Sequence, residues 1–241
     1  MTDGPRWWRG GVLYEVYPWS FADSDGDGVG DLRGAIERLD HVARLGADAV
    51  WITPWFPSPM VDGGYDVADY CDIDPKLGSL DQADELIERA HALALKVVID
   101  MVANHSSDQH PWFQEALRAG ADDPARHRYV FRPGRGDSGE LPPNNWVCAF
   151  GSSAWTRTAA ADGTPGDWYL HTFSPEQPDL NWASPLVQDD MLEVLRFWYG
   201  RGIDGRARAL ALVMAEAEEH LRAGLRISQL EWLTSPQLAC A

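Results

Sequence analysis

The chain is poor in cysteine and in positive charge. Its three cysteines, Cys71, Cys148 and Cys240, stand far apart without CxxC or Cys/His spacing, which excludes a disulfide framework and a zinc site. A reducing cytoplasm is the compartment expected for such a chain. Lysine and arginine together number 20 against 37 Asp and Glu, a net charge of −17. A field of that sign repels phosphate backbones and anionic lipid surfaces, so the expectation is no nucleic-acid partner and no membrane partner. No stretch approaches the ~18 apolar residues of a spanning helix, and the opening MTDGPRWWRGG lacks the apolar run of about 7–15 residues of a signal peptide. Neither secretion nor a membrane span is expected. Internal repeats and low-complexity tracts are also missing.

What remains is the composition of an ordinary soluble protein, 45% hydrophobic and 24% charged. Its 241 residues come close to the roughly 250 of one α/β barrel domain. Twelve tryptophans and seven tyrosines are many for this length. Flat apolar faces with a polar handle suit sugar rings, although core packing accounts for most of them.

Short Val- and Ile-rich runs alternate with longer helical patterns. VLYEVY at Val12–Tyr17 reads as a strand, Leu32–Leu45 as a helix, DAVWIT at Asp48–Thr53 as a strand, Leu80–Leu95 as a helix and KVVIDMV through Val102 as a buried strand. This βαβαβ order predicts a parallel sheet covered on both faces, in a barrel or a doubly wound fold. From Asn104 to about Ala183 the chain turns rich in Gly, Pro, Asn, Asp and Trp, too long for a plain loop, and reads as an inserted subdomain. A helical pattern follows over Leu186–Tyr199. Ile203 and Asp204 could open a fourth strand, but the composition shifts at Gly205 and an Ala/Arg/Glu-rich helix is expected from about Ala207 to Arg222. The expected organisation is thus 1–103 for three strands with their helices, 104–183 for the insert, 184–205 for the next helix and the start of strand four, and 206–241 for a divergent helical tail.

DSDGDGVGD places carboxylates at Asp23, Asp25, Asp27 and Asp31 with glycines between them. Alternating oxygens on a tight loop suit a hard cation, with the Val29 carbonyl as a further donor. An EF-hand is excluded, because Gly34 stands where its bidentate Glu belongs. The alternative reading of Asp31 is an N-cap for the Leu32 helix. At the carboxyl ends of strands two and three, where parallel α/β folds gather ligands, lie Asp62, Tyr65, Asp66, Asp100, Asn104 and His105. Each taken alone has a structural explanation, and together they read as one polar rim.

YEVYPWSFADSDGDGVGDLRG, WITPWFPSPMVDGGYDVADY, VVIDMVANHSSDQHPWF and WYLHTFSPEQPDLNW resemble successive motifs of the α-glucosidase and oligo-1,6-glucosidase branch of the α-amylase family of glycoside hydrolases, family 13. The resemblance covers about Trp7 to Gly205. It implies an α/β fold, the N-terminal half of a (β/α)8 TIM barrel with a B domain inserted after the third strand. It also implies retaining hydrolysis of terminal α-glucosidic bonds in small maltose- or isomaltose-type oligosaccharides. By the same resemblance Asp62 bonds sugar hydroxyls, Tyr65 stacks on the ring, Asp100 stabilises its loop, His105 contacts a glucose hydroxyl, and Gln177 of QPDLN belongs to the substrate-binding set. Asp23, Asp25, Asp27, the Val29 carbonyl and Asp31 match the branch's structural Ca²⁺ or Mg²⁺ loop.

The resemblance breaks where the chemistry should be. A retaining glycosidase needs a carboxylate nucleophile and a carboxylic acid/base. The family carries its nucleophile in GFRxDV, whereas this chain reads GRARA from Gly205, with Arg206 for Phe, Ala207 for Arg and Ala209 at the nucleophile position. No catalytic residue is therefore expected, and Glu216, Glu218 and Glu219 fall on a solvent-spaced helical pattern. The abrupt divergence is what a shifted reading frame would produce. A truncated enzyme with an exposed, self-associating barrel edge is the leading expectation. A non-catalytic sugar-binding relative, a transglycosylase and a trehalose synthase are the alternatives.

Overall fold

The computed structural model describes residues 7–8, 10–159 and 163–207. Strand β1 (Leu13–Val16) leads into a one-turn helix α1 (Pro18–Phe21), the acidic loop and helix α2 (Leu32–Arg44). Strand β2 (Ala49–Ile52), helix α3 (Leu80–Ala92) and strand β3 (Lys96–Asp100) follow. The insert holds α4 (Pro111–Arg118), a 3₁₀ turn at Arg126–Arg128, and strands β4 (Phe131–Arg132), β5 (Trp155–Ala159) and β6 (Pro165–Leu170). Helix α5 (Pro185–Arg201) returns the chain to strand β7 (Gly205–Ala207).

β1, β2, β3 and β7 form a four-stranded sheet in that order, each pair parallel. Sequential parallel strands joined through helices make half of the wall of an eight-stranded (β/α) barrel. Among the described residues β1 and β7 are each paired on one side only. The insert carries its own antiparallel sheet, β4-β6-β5, over a small core of Cys148, Ala154 and Trp155.

The helices form for local reasons. α2 buries Leu32, Ala35, Ile36, Leu39 and Val42, one stripe at helical spacing, and Asp31 caps it by accepting from Gly34 N. α3 starts at the Ser79 cap and buries Ala83, Leu86, Ile87 and Ala90 against the sheet. α5 opens with Pro185 and stops at Gly202, whose φ of 105° is a left-handed C-cap that side chains resist. Trp198 of α5 is fully buried, its ring 5.2 Å from that of Trp55, and its Nε1 donates to the Tyr70 carbonyl at 2.7 Å. That contact locks the long loop after β2 beneath the helix.

Two expectations need correction. Strand three ends at Asp100 instead of Val102: Ile99 is the last residue paired by β2, through Ile52, and Asp100 pairs with Ala207 of β7. Strand four does not start at Ile203–Asp204 and stop there; it runs Gly205–Ala207, past the composition break. Backbone pairing to Val98, Ile99 and Asp100 needs no particular side chain, and Asp204 anchors the strand's start. Its carboxylate accepts from Lys96 Nζ and His91 Nε2 at 2.7 Å each and from Val97 N at 2.9 Å. The helix expected from Ala207, with Ala209, Glu216, Glu218, Glu219 and Cys240, lies beyond the described strand, outside the described residues. No described helix is long and apolar enough to cross a membrane.

Candidate functional site

Three chain segments meet at the carboxyl end of the parallel sheet. The loop after β2 brings Asp62, Tyr65 and Asp66, the end of β3 brings Asp100, Asn104 and His105, and the end of the insert brings Gln177 and Asp179. Segment 104–108 pairs with segment 176–180 by backbone: Leu180 N donates to Asn104 O at 2.9 Å and Asp108 N to Glu176 O at 2.8 Å. His105 and Asp179 face each other across an isolated antiparallel bridge.

Tyr65 Oη donates to Asp100 Oδ2 at 3.0 Å. Gln177 Nε2 donates to Asp62 Oδ2 at 2.9 Å and lies 3.0 Å from His105 Nε2, while its Oε1 accepts from Ser174 N at 3.2 Å. His105 Nε2 is also 3.2 Å from the Tyr65 carbonyl. Asp62, Tyr65, His105, Gln177 and Asp100 are thus one connected set. Asp62 and Tyr65 are half-buried and reach solvent; Asp100, His105 and Gln177 are 1%, 1% and 0% exposed.

Their burial divides the set by task. A ligand can meet Asp62 and the Tyr65 ring directly, whereas Gln177 spends its amide on Asp62, His105 and Ser174. Gln177 holds the rim in shape and presents no open face to a sugar. Asp66, expected on the rim, is fully buried and turned inward, accepting from Ser58 Oγ, Val61 N and Asp62 N at 2.9, 3.0 and 3.1 Å. It shapes the loop that presents Asp62. Sequence reasoning did not single out Tyr70, whose Oη donates to the His105 carbonyl at 2.7 Å, nor Asp179. Asp179 lies inside the quoted QPDLN stretch, and a carboxylate amid Pro and Leu was the available signal.

Asp179 is 7% exposed and accepts from Thr172 N at 2.9 Å, Asn104 Nδ2 at 3.1 Å and Thr172 Oγ1. Burial pushes its carboxyl above the usual range, and the bonds from Thr172 and Asn104 oppose that rise. His110, packed against the Tyr70 ring, is driven down to about 4 by burial and by the charge of Arg128, so it stays neutral; its Nδ1 caps α4 by accepting from Trp112 N at 3.0 Å.

The acidic loop lies before α2, on the surface. Ligand oxygens of Asp23, Asp25 and Asp27 lie within 4.8 Å of one another, all three residues exposed. The N–H groups of Gly28 and Gly26 donate to Asp23 and hold its carboxyl below the ordinary value. Asp31 stands apart from the three. Partial burial pushes its carboxyl up, but its Oδ1 accepts from Gly34 N and its Oδ2 from Ser24 N and Oγ, and the balance lies below the ordinary value. The loop offers only oxygens, which fits a hard cation.

Residues 15–217 match the profile of the family described as alpha amylase, catalytic domain. The trehalose-6-phosphate hydrolase of Escherichia coli (strain K12) is 49% identical over 205 residues, 85% of this chain and 36% of that protein. A probable alpha-glucosidase of Rhizobium meliloti (strain 1021) is 51% identical over 199 residues, 83% of this chain and 35% of that one. Among solved structures, the trehalulose synthase from Pseudomonas mesoacidophila MX-45 aligns with a TM-score of 0.78 at 41% identity, over 85% of this chain and 35% of that one. The chain spans about a third of the length of the proteins it matches.

Proposed function

The chain belongs to the α-amylase catalytic-domain family, and from that premise we propose that it carries the glucose-holding half of an α-glucosidase-type site without the nucleophile. The single observation behind this reading is the Asp62–Gln177–His105–Tyr65–Asp100 set at the carboxyl end of the parallel strands. Asp62 Oδ1 and Oδ2 accept bonds from the hydroxyls of a terminal α-linked glucose, and the half-buried Tyr65 ring lies against the sugar's apolar face. Gln177 keeps the Asp62 carboxylate aimed while water is displaced, and Asp100 fixes the Tyr65 hydroxyl. Relatives named for oligosaccharide and for sugar-phosphate hydrolysis both match the chain. A net charge of −17 favours the neutral, maltose- or isomaltose-type ligand.

Hydrolysis with retention needs a carboxylate to form the covalent glucosyl intermediate. Ala209 stands where the family resemblance expects that group, and a methyl group cannot attack an anomeric carbon. This favours a sugar-holding chain that does not turn its ligand over above transglycosylase or trehalose-synthase chemistry, which needs the same nucleophile. Incubation with 4-nitrophenyl α-glucoside is the test. Binding without release of 4-nitrophenol above a heat-killed blank is expected, and reproducible release overturns the assignment of Ala209.

The acidic loop is read as a structural Ca²⁺ or Mg²⁺ site. Asp23, Asp25 and Asp27 with the Val29 carbonyl would hold the ion, and Asp31 could join only by sharing the Oδ2 that Ser24 engages. An ion there neutralises three crowded carboxylates ahead of α2 and takes no part in sugar chemistry. Free Cys71 and Cys148 accord with a cytoplasmic location. Among the described residues β1 is paired on one side only, and with Val12 59% and Leu13 40% exposed this supports self-association through that edge.

A further inference from the structure

The insert carries a pocket of about 320 Å³ to which no residue of the rim contributes. Trp146, Trp155, Asn144, Arg132, Pro133 and Pro143 line it. Such a volume lies at the small end of ligand pockets, roughly 300–1,000 Å³. Trp146 is 58% exposed, although an indole gains from burial. Its place is nonetheless fixed. Trp146 N donates to Asn144 Oδ1 at 3.0 Å, and its carbonyl accepts from Ala154 N at 3.0 Å. Its ring is backed by that of buried Trp155, 6.3 Å away and inclined by 29°.

Asn144 is oriented by the same pair. Its Oδ1 also accepts from Trp155 Nε1 at 2.8 Å, so both lone pairs are spent and the amide sits one way round. The reverse orientation would set its NH₂ against two N–H donors. Asn144 Nδ2 has no protein partner among the described residues. Arg132 donates one bond, from Nη1 to the Phe131 carbonyl at 2.8 Å, and forms no ion pair among the described residues. No carboxylate lines the pocket. The wall thus offers a flat apolar face beside hydrogen-bond donors. A sugar ring answers both, with its C–H face and the hydroxyl oxygens round its edge. An extended proline-rich peptide also carries acceptors, but such ligands run along a longer aromatic-lined groove. The net charge of −17 disfavours an anionic ring.

We propose that Trp146 and Asn144 form a second saccharide site, on the insert, that takes an internal unit of an α-glucan chain. The unit stacks on Trp146 and accepts a bond from Asn144 Nδ2 at a hydroxyl. The rim has Asp62 to fasten the hydroxyls of a chain end, and this pocket has no such carboxylate. The choice of glucan rests on the sugar-holding reading above, whereas the ring and the aimed donor do not. One stacked ring with so few bonds holds a disaccharide too weakly to register at millimolar concentration. A longer chain offers several internal units, any of which can occupy the pocket.

The test is calorimetric titration of maltoheptaose into the Asp62→Ala chain, whose rim is disabled. Saturable binding at millimolar sugar is expected there, and adding Trp146→Ala should weaken it about tenfold. In ¹⁵N spectra the Trp146 indole and Asn144 side-chain amide peaks, assigned by their loss in Trp146→Phe and Asn144→Asp, should move with the same affinity. No binding by Asp62→Ala, an affinity unchanged by Trp146→Ala, or pocket peaks that stay still as the heat saturates overturns the proposal. Pocket peaks moved by a proline-rich peptide and not by the glucan do the same. The two sugar readings fail separately. Maltoheptaose binding to the wild-type chain with still pocket peaks defeats this site and leaves the rim. Moving pocket peaks with no maltose binding at the rim defeat the rim and leave this site.

Discussion

The acidic loop and the rim use the same side chain to opposite ends. In the loop, Asp23, Asp25 and Asp27 accept backbone N–H groups two to five residues away and face water. At the rim, Asp62 is held from Gln177, 115 residues distant, and Asp179 from Asn104, 75 residues distant. Local bonds curl a loop but leave its three crowded carboxylates facing solvent, where the proposed cation would offset their repulsion. Long-range bonds fasten three segments together and leave Asp62 as the carboxylate with an open side. In the proposed reading an ion completes the first cluster, whereas the second is completed by the fold.

The largest effect that could break this contrast is at Asp66, which gathers three donors inside the β2 loop. Asp66→Ala leaves three part-buried donors without their acceptor and should cost about 4.5 kcal/mol, the low end for three bonds to a charged acceptor at roughly 1.5–3 kcal/mol each. Urea unfolding checks it. A loss near that of an exposed substitution would mean that the rim is no more built than the loop.

Acid should act on the buried side. The His110 value of about 4 lies below the 6.5 of an unfolded histidine, so the unfolded chain takes up a proton first as pH falls. Stability is complete above pH 6.5 and is lost progressively toward pH 4. The loss from this group approaches ~3 kcal/mol at about 1.4 kcal/mol per unit. His110→Asn keeps an N-cap and should flatten this part of the pH profile when unfolding is followed at pH 7 and pH 4.5.

The loop should respond to ions instead. Millimolar Ca²⁺ added to chelated protein is expected to raise Tm by ~4 °C, and Asp23→Asn should abolish most of that rise. An equal rise in the variant would place the ion elsewhere.

The strands were legible because Val–Ile runs alternate with capped helical stripes, and the rim was legible where a side chain follows a strand end, as Asp62, Asp100 and His105 do. The inward turn of Asp66 was not, because direction within a loop depends on donors such as Ser58 that sequence does not orient. Strand β7 was missed at Gly205–Ala207 because its support lies in Asp204, Lys96 and His91, brought together across more than a hundred residues. Asp179 and Asn104 stood in quoted motifs, yet their partnership exists only after the insert folds back on β3.

Heat measured on titrating the folded chain with maltose, beside its Asp62→Ala variant, tests the central claim most directly. The account predicts saturable binding at millimolar sugar that disappears in the variant. No saturable heat from the wild-type chain, or the same isotherm from both proteins, would contradict it.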